Sequence, residues 1–132
     1  MIEHTIISQR NYAYVVIKQS PDMEAFLSAS RIFVNDPDFS PGLNRLCDFS
    51  QADLNHATMT DLLAYAKFAK ANIPLAAEAR VALVSPGDAK LGLLKSFVSM
   101  IPEGKFRVFQ DPADAVAWIK EASVVPASAG TS

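Results

Sequence analysis

The chain has 132 residues, half of them hydrophobic and a fifth charged, with a formal net charge of −2. This is enough for one domain with its own core, and so weak a negative charge offers no basic field for nucleic acid. No apolar run could form an integral membrane segment, the N-terminus does not look like a signal peptide, and a single cysteine excludes a disulfide framework. We therefore expect a cytoplasmic protein that does not bind nucleic acid.

Strand and helix patterns alternate along the chain. A short strand in the stretch HTIIS is predicted to form a hairpin with a strand over residues 12–19, through a turn at 10–11. Further strands are predicted at 43–50, 80–85 and 105–110. The 80–85 strand is apolar at consecutive positions, which indicates burial on both faces, as in a covered parallel sheet.

Helix signals follow each strand from the second onward. For the first helix, Ser20 is predicted as the N-cap and Pro21 as the first helical residue. The second helix is predicted over about 59–71, with Thr58 and Asp61 as a capping box and Pro74 marking the break that follows it.

The third and fourth helices have similar starts. Asp88 is predicted to cap a helix that runs to about Met100, and Asp111 to cap a helix that begins at Pro112. Residues 1–124 are expected to form the domain, and residues 125–132 a disordered tail. The order ββαβαβαβα predicts an α/β fold, with a mixed, mostly parallel sheet of four to five strands and about four flanking helices.

Three stretches, in this order, resemble the SpoIIAA-like group of STAS-type proteins: DPDFSPGLNRLCDFSQAD, RVALVSPGDAKLGLLKSF and RVFQDPADAVAWI. The group consists of small bacterial α/β domains related in fold to anti-sigma factor antagonists, and the resemblance covers roughly residues 10–120. It implies a mixed sheet with flanking helices, and a binding or regulatory role more than catalysis.

Regulatory STAS proteins carry an Asp-Ser-Ser-Gly-like motif before the helix after the central strand, and its first serine accepts phosphate from a partner kinase. The resemblance places His56, Ala57, Thr58 and Met59 at that motif. The acceptor serine and the glycine are absent, and Thr58, the nearest hydroxyl, lies one position late. This departure argues against regulation by a kinase.

Thr58 and Thr60 lie where a phosphate would meet free backbone N–H groups and the positive end of a helix dipole. We favour the simpler interpretation of Thr58 as the N-cap. His56 lies near Asp53 and Asp61, but one histidine with scattered carboxylates lacks the converging ligands of a metal site. We expect no metal or cofactor, and interpret His56 as a solvated loop residue.

Asp48, Ser50 and His56 include the residue types of a hydrolytic triad. Ser50 lacks the Gly-x-Ser-x-Gly setting of a nucleophile, so no catalytic residue is assigned, and a small hydrolase is the weakest alternative. Cys47 lies in an apolar strand and is interpreted as a core side chain with an ordinary or raised pKa.

Ser85, Gly87 and Asp88 form the start of a second loop of interest. Ligands of open α/β sheets gather beyond the carboxyl ends of the strands, which makes the 50–60 and 85–90 loops candidate ligand or regulatory sites. The SPGD segment has one glycine and no lysine at the position a phosphate-binding loop requires, so a turn and cap is favoured.

The third helix carries two apolar stripes. The first contains Leu91, Leu94, Val98 and Ile101. The second contains Leu93, Phe97 and Met100, although a single core face needs only the first. A wide buried face is the favoured interpretation. The alternative is a surface for a second copy of the chain, for a membrane surface or for a lipid-like ligand.

These patterns predict a non-catalytic STAS-like module that binds an unknown protein partner or small ligand. A homodimeric, membrane-surface or lipid-binding protein that uses the third helix is the alternative.

Overall fold

The computed structural model describes residues 2–72, 79–101 and 105–131, with side chains described except at 72, 88–89 and 122–131. The strands are β1 (Ile2–Ile7), β2 (Tyr12–Gln19), β3 (Asn44–Ala52), β4 (Val81–Val84) and β5 (Phe106–Phe109). The helices are α1 (Met23–Val34), α2 (Met59–Asn72), α3 (Asp88–Ser99) and α4 (Pro112–Thr131), with a 3-10 turn at Ser8–Arg10. The predicted order of elements is confirmed.

All five strands form one sheet, and their spatial order is their order in the chain. β1 runs antiparallel to β2, while β2, β3, β4 and β5 are parallel neighbours. The hairpin turns at Asn11, whose φ of 53° is in the left-handed region. The buried Asn44 side chain donates to the Asn11 carbonyl oxygen at 3.1 Å, which joins this turn to β3.

The helices divide between the two faces of the sheet because side chains alternate along each strand. Val81 and Leu83 pack with residues of α2 and α3 on one face. Ala82 and Val84 pack against Ala115 and Ile119 of α4 on the other. Phe33 of α1 packs on Ala13, which pairs with Arg45 and, through it, with Val81, so α1 lies on the same face as α2 and α3.

Two predicted helix starts are wrong by one or two residues. α1 is capped by Asp22, whose Oδ1 accepts from the Ala25 amide at 2.9 Å. Ser20 instead donates its hydroxyl to the Asp53 carbonyl at 3.1 Å, so the chain enters the helix only after Pro21. In α3 the N-cap is Gly87, and Asp88 is the first helical residue rather than the cap.

The other two predicted starts are confirmed. The Asp61 amide donates to Thr58 Oγ1 at 3.2 Å and the Thr58 amide donates to Asp61 Oδ2 at 2.9 Å, a complete capping box. Asp111 Oδ1 accepts from the Ala113 amide at 2.9 Å at the start of α4. The break expected at Pro74 lies outside the described residues.

The C-terminal end of α4 overlaps the residues that are predicted to form a disordered tail. The helix bounds reach Thr131, while side chains from residue 122 onward and the whole of residue 132 lie outside the description. Disorder over residues 125–132 therefore stays a prediction, as does the domain boundary at residue 124.

Candidate functional site

A cavity of about 440 Å³ lies between the sheet and the three helices α1, α2 and α3. Its volume falls in the range of small-molecule sites, about 300–1,000 Å³. The strands contribute mainly apolar side chains such as Ile17, Leu83 and Phe106, and the helices add aromatic ones such as Phe26 and Phe97. Protein interiors are normally close-packed, so an apolar space of this size is a feature that needs an explanation.

Residues on the inner sides of the helices account for the space. Ala29 of α1 and Ala69 of α2 line the cavity and reach only a short way toward the sheet. At one end, Phe26 and Tyr65 hold α1 beside α2 with ring centroids 5.1 Å apart. From α2, the small residue Ala69 packs with the buried strand residues of this face, and the helix also contacts α3. The helices therefore span the sheet without filling the volume beneath them.

The exposed lining residues show where the cavity meets solvent. Ser20, Asp22, Asp53 and His56 are exposed and lie beyond the carboxyl ends of β2 and β3. We call these four residues the rim. Ile32 of α1, 62% exposed, also lines the cavity.

Arg45 is the charged residue of the cavity wall that lies farthest from the rim along β3. Its side chain is only 7% exposed and faces the same side of the sheet as Val81. The guanidinium carbon lies 4.6 Å from the centroid of the Phe33 ring. Its Nε has no hydrogen-bond partner, and no carboxylate forms an ion pair with it in the described part of the chain.

Burial lowers the pKa of Arg45 to about 10, against a smaller raising effect of Cys47. The side chain therefore keeps its positive charge at neutral pH. A buried charge without a counter-charge costs several kcal/mol, and a desolvated cation–π contact offsets about 2 kcal/mol or more of that cost. In the sequence Arg45 is a charge that interrupts the mainly apolar strand predicted at 43–50. The available signal was a charge at an inward position of a central apolar strand.

Cys47 and His4 lie beside Arg45 on the cavity wall. Burial raises the pKa of the Cys47 thiol to about 11, so the thiol is neutral at pH 7, and the half-buried residue packs against the core cluster of this face of the sheet. His4 Nε2 lies 2.8 Å from Asp36 Oδ2, and its ring packs edge-on against Phe33. The imidazole is thus held by groups of the protein itself.

Asp48 and Ser50 do not face the cavity. Asp48 lies one position after Cys47 and points to the opposite side of the sheet, where Tyr14 donates a short hydrogen bond to its Oδ2. The Ser50 amide donates to Asp48 Oδ1 at 2.8 Å. Burial tends to raise the pKa of Asp48, but the hydrogen bonds from Tyr14 and Ser50, together with the charge of Lys90, lower it overall.

The three residues of the hydrolase alternative are therefore separated. His56 lies at the rim on the cavity side, while Asp48 is engaged by Tyr14 on the other face. No hydrogen bond joins His56 to Asp48 or Ser50 among the described residues. Between residues 2 and 131, as far as side chains are described, no three His, Cys, Asp or Glu residues group as metal ligands.

The two loops named from the sequence have different surroundings. Thr58 is occupied by its capping bonds and Thr60 is exposed. Ser85 is fully buried at the end of β4, and its Oγ has no partner among the described residues. The Asp88 side chain lies outside the description, and Gly87 is exposed. A ligand or regulatory role for these residues stays a prediction, and of the named candidates in these loops only His56 lines the cavity.

The second apolar stripe of α3 lies partly inside the protein, against the cavity. Leu93 and Phe97 are half-buried and line the cavity, and Met100 is half-buried at the end of the helix. The large hydrophobic residues that are exposed in the described chain lie elsewhere: Tyr14, Ile32, Met59 and Leu63. A homodimer or membrane contact through α3 stays a prediction. No described helix is both long enough and apolar enough to cross a bilayer.

The sheet, the helices on both faces and the cavity define an α/β protein of the mixed, mostly parallel type. No protein-family model and no curated protein matches the chain. A solved structure does match: an uncharacterised protein of the DUF3478 family with a SpoIIAA-like fold, from Shewanella loihica PV-4. The similarity covers 90% of this chain and 92% of that chain, with a TM-score of 0.60 and 17% sequence identity. The chain therefore has a SpoIIAA-like fold, as predicted.

Proposed function

We propose that this protein is a non-catalytic binding module that holds a small apolar ligand in the cavity beneath α1, α2 and α3. The observation that carries the proposal is a cavity of about 440 Å³ with largely apolar walls, reached by solvent at the rim. Burying an apolar ligand there would gain roughly 25 cal/mol for each Å² of apolar surface removed from water.

The positions of the polar residues support binding over catalysis. Asp48, Ser50 and His56 do not converge, and Cys47 is held as a neutral thiol by burial. General acid–base or nucleophilic catalysis needs such groups within hydrogen-bond reach of one another and of the substrate. The proposed site also differs from the sequence-based expectation, because the 50–60 loop contributes only to its edge, through residues such as Asp53 and His56, and the body of the site is the cavity between sheet and helices.

A cavity-filling substitution tests this function. Ala69→Leu adds three carbons to a wall residue that is 6% exposed, and Ala64→Leu adds the same atoms at an exposed position of the same helix. We expect the neutral fluorophore N-phenyl-1-naphthylamine to bind the unmodified protein. Ala69→Leu should weaken binding about tenfold, because it occupies the ligand's space, while Ala64→Leu should leave binding unchanged.

Urea unfolding supplies the second measurement for the same pair. Filling an empty cavity should leave the free energy of unfolding unchanged or raise it by about 1 kcal/mol. If Ala69→Leu lowered it by the roughly 1–3 kcal/mol typical of overpacking, and the fluorophore bound both variants equally, the cavity would not be the binding site.

A further inference from the structure

Arg45 is the charged residue in a row of otherwise apolar side chains that crosses the strands of the sheet. The row that faces the helices runs from Ile6 through Ala13, Arg45 and Val81 to Phe106. A leucine or valine would complete this apolar row. An arginine there costs stability, so its charge needs a reason outside the packing of the sheet.

The described residues contact the guanidinium of Arg45 but do not satisfy all of its hydrogen-bond donors. The Phe33 ring covers one face of the guanidinium, but Nε has no acceptor among the described residues. A guanidinium carries five N–H donors and no acceptor, in a planar fork that matches a carboxylate. An anion in the cavity would supply the missing acceptor and the missing charge together.

The acidic residues of the cavity are too distant to fill this role. Asp22, Asp53 and Asp61 belong to the carboxyl-end side, and each accepts a hydrogen bond from a nearby backbone amide. From Arg45 to the end of β3 at Ala52 is seven residues, about 23 Å of extended chain. The cavity thus has one cation at one end, a mainly apolar length, and acidic groups at the rim.

The single positive charge limits the kind of anion. Besides Arg45, the basic residues on the described wall are His4, engaged with Asp36, and His56 at the rim, and none of the lining residues that the structure describes is a lysine. One guanidinium balances a monoanion, whereas a phosphate monoester dianion calls for more than one cation. A carboxylate with an apolar body fits both the charge and the walls.

We propose that Arg45 is the recognition residue for the carboxylate of an apolar monocarboxylate, whose hydrocarbon part extends along β3 toward the rim. This rests on the proposed function and names its class of ligand. The guanidinium binds the carboxylate through paired N–H donors, and Phe33 keeps the guanidinium plane in place. An uncharged analogue of the same length lacks this bond, and a cationic one is repelled.

Three probes of equal chain length test the proposal: decanoate, 1-decanol and decylamine, each competing with N-phenyl-1-naphthylamine at neutral pH. In the unmodified protein decanoate should bind about 10- to 100-fold more tightly than decanol, the value of a charged hydrogen bond to a buried group. Decylamine should compete least. In Arg45→Gln the advantage of decanoate over decanol should vanish, while decanol binds about as before.

Stability supplies a readout that separates recognition from folding. Arg45→Met removes an unpaired buried charge, so its urea midpoint should be higher than that of the unmodified protein. At the same concentration, added decanoate should raise the midpoint of the unmodified protein clearly more than that of Arg45→Met, in which it should act no more strongly than decanol. A purely structural arginine would give the reverse, with Arg45→Met losing stability.

The outcomes distinguish the two proposals. Equal binding of decanoate and decanol to the unmodified protein, or a decanoate preference that survives in Arg45→Gln, overturns the role of Arg45 and leaves the apolar cavity standing. If no probe binds and the fluorophore does not respond to Ala69→Leu, both the ligand class and the proposed function are wrong.

Discussion

Arg45 and Asp48 lie three residues apart on β3, and their charged groups have different hydrogen-bonding environments. Asp48 accepts hydrogen bonds from Tyr14 and from the Ser50 amide on the face away from the cavity. Arg45 faces the cavity, where the Phe33 ring lies against its guanidinium and no described residue accepts a hydrogen bond from its Nε. Because strand side chains alternate, a single strand separates a satisfied anion from an unsatisfied cation.

At this scale Cys47 offers a probe of the cavity, since it is the chain's single cysteine. Burial raises its pKa from 9.0 to about 11, which reduces the reactive thiolate at pH 8 about 100-fold. We expect slow reaction with Ellman's reagent in the folded protein, and a rate near that of free cysteine in urea. Equal rates in the two conditions would contradict a buried thiol.

The Tyr14–Asp48 contact makes a prediction about pH. The hydrogen bond to Asp48 is the main reason that the pKa of Tyr14 is raised to about 12, and the same bond helps lower the pKa of Asp48. A carboxylate whose folded pKa is lowered stabilises the protein above its unfolded pKa of about 4, and this stability is lost as the pH falls through the folded value.

Tyr14→Phe should therefore lower the free energy of unfolding by about 1 kcal/mol at pH 7. The difference from the unmodified protein should shrink as the pH falls below about 4, as measured by urea unfolding at pH 7 and pH 3. Tyr65→Phe is the matched control, because Tyr65 donates only a long 3.5 Å bond to the uncharged Pro21 carbonyl. A Tyr14→Phe effect that did not change with pH would argue against the ionic partner.

Among the elements, α2 has the clearest test of its start. Thr58 and Asp61 exchange hydrogen bonds at its first turn. Thr58→Ala should lower the free energy of unfolding by about 1 kcal/mol, the usual value of an N-cap. Thr60→Ala, at an exposed position inside the helix, should change it by less than about 0.5 kcal/mol. Similar losses in both variants would show that the capping box adds nothing.

Local signals explain which elements were predictable. The capping box of α2 and the Asp111 cap of α4 depend on residues within three positions of one another, and both are confirmed. The start of α1 was misplaced because Ser20 and Asp22 are both good caps by type. A contact with Asp53, 33 residues away, engages the Ser20 hydroxyl.

The cavity could not be predicted from the sequence, for a related reason. Its volume depends on how far α1 and α2 stand from the sheet, which small residues such as Ala29 and Ala69 decide only once the helices are placed. Alanine is ordinary in any helix, so neither residue is a signal by itself. Arg45 was visible as a charge in an apolar strand, but only the register with Ala13 and Val81 shows that it points into the cavity.

Across the whole molecule, the two faces of the sheet are covered differently. On one face α4 covers β3, β4 and β5 directly, with Ala115 and Ile119 fully buried. On the other, three helices enclose a space of about 440 Å³. The face under α4 therefore carries a buried cluster, while the face under α1, α2 and α3 holds the space in which we propose that a ligand binds.

The order of the strands also has a consequence for how the chain acquires its structure. Each strand pairs with the one made just before it, from β1 to β5. Each new strand can therefore add to the edge of the strands already made, from the N-terminus onward. Parallel partners such as Tyr12 and Asn44, or Arg45 and Val81, are nevertheless far apart in the chain, which slows their pairing. The cavity is enclosed later, because α3 and β5 supply Leu93, Phe97 and Phe106 to its wall. An emerging chain would thus carry the exposed Arg45 side chain before its binding space exists.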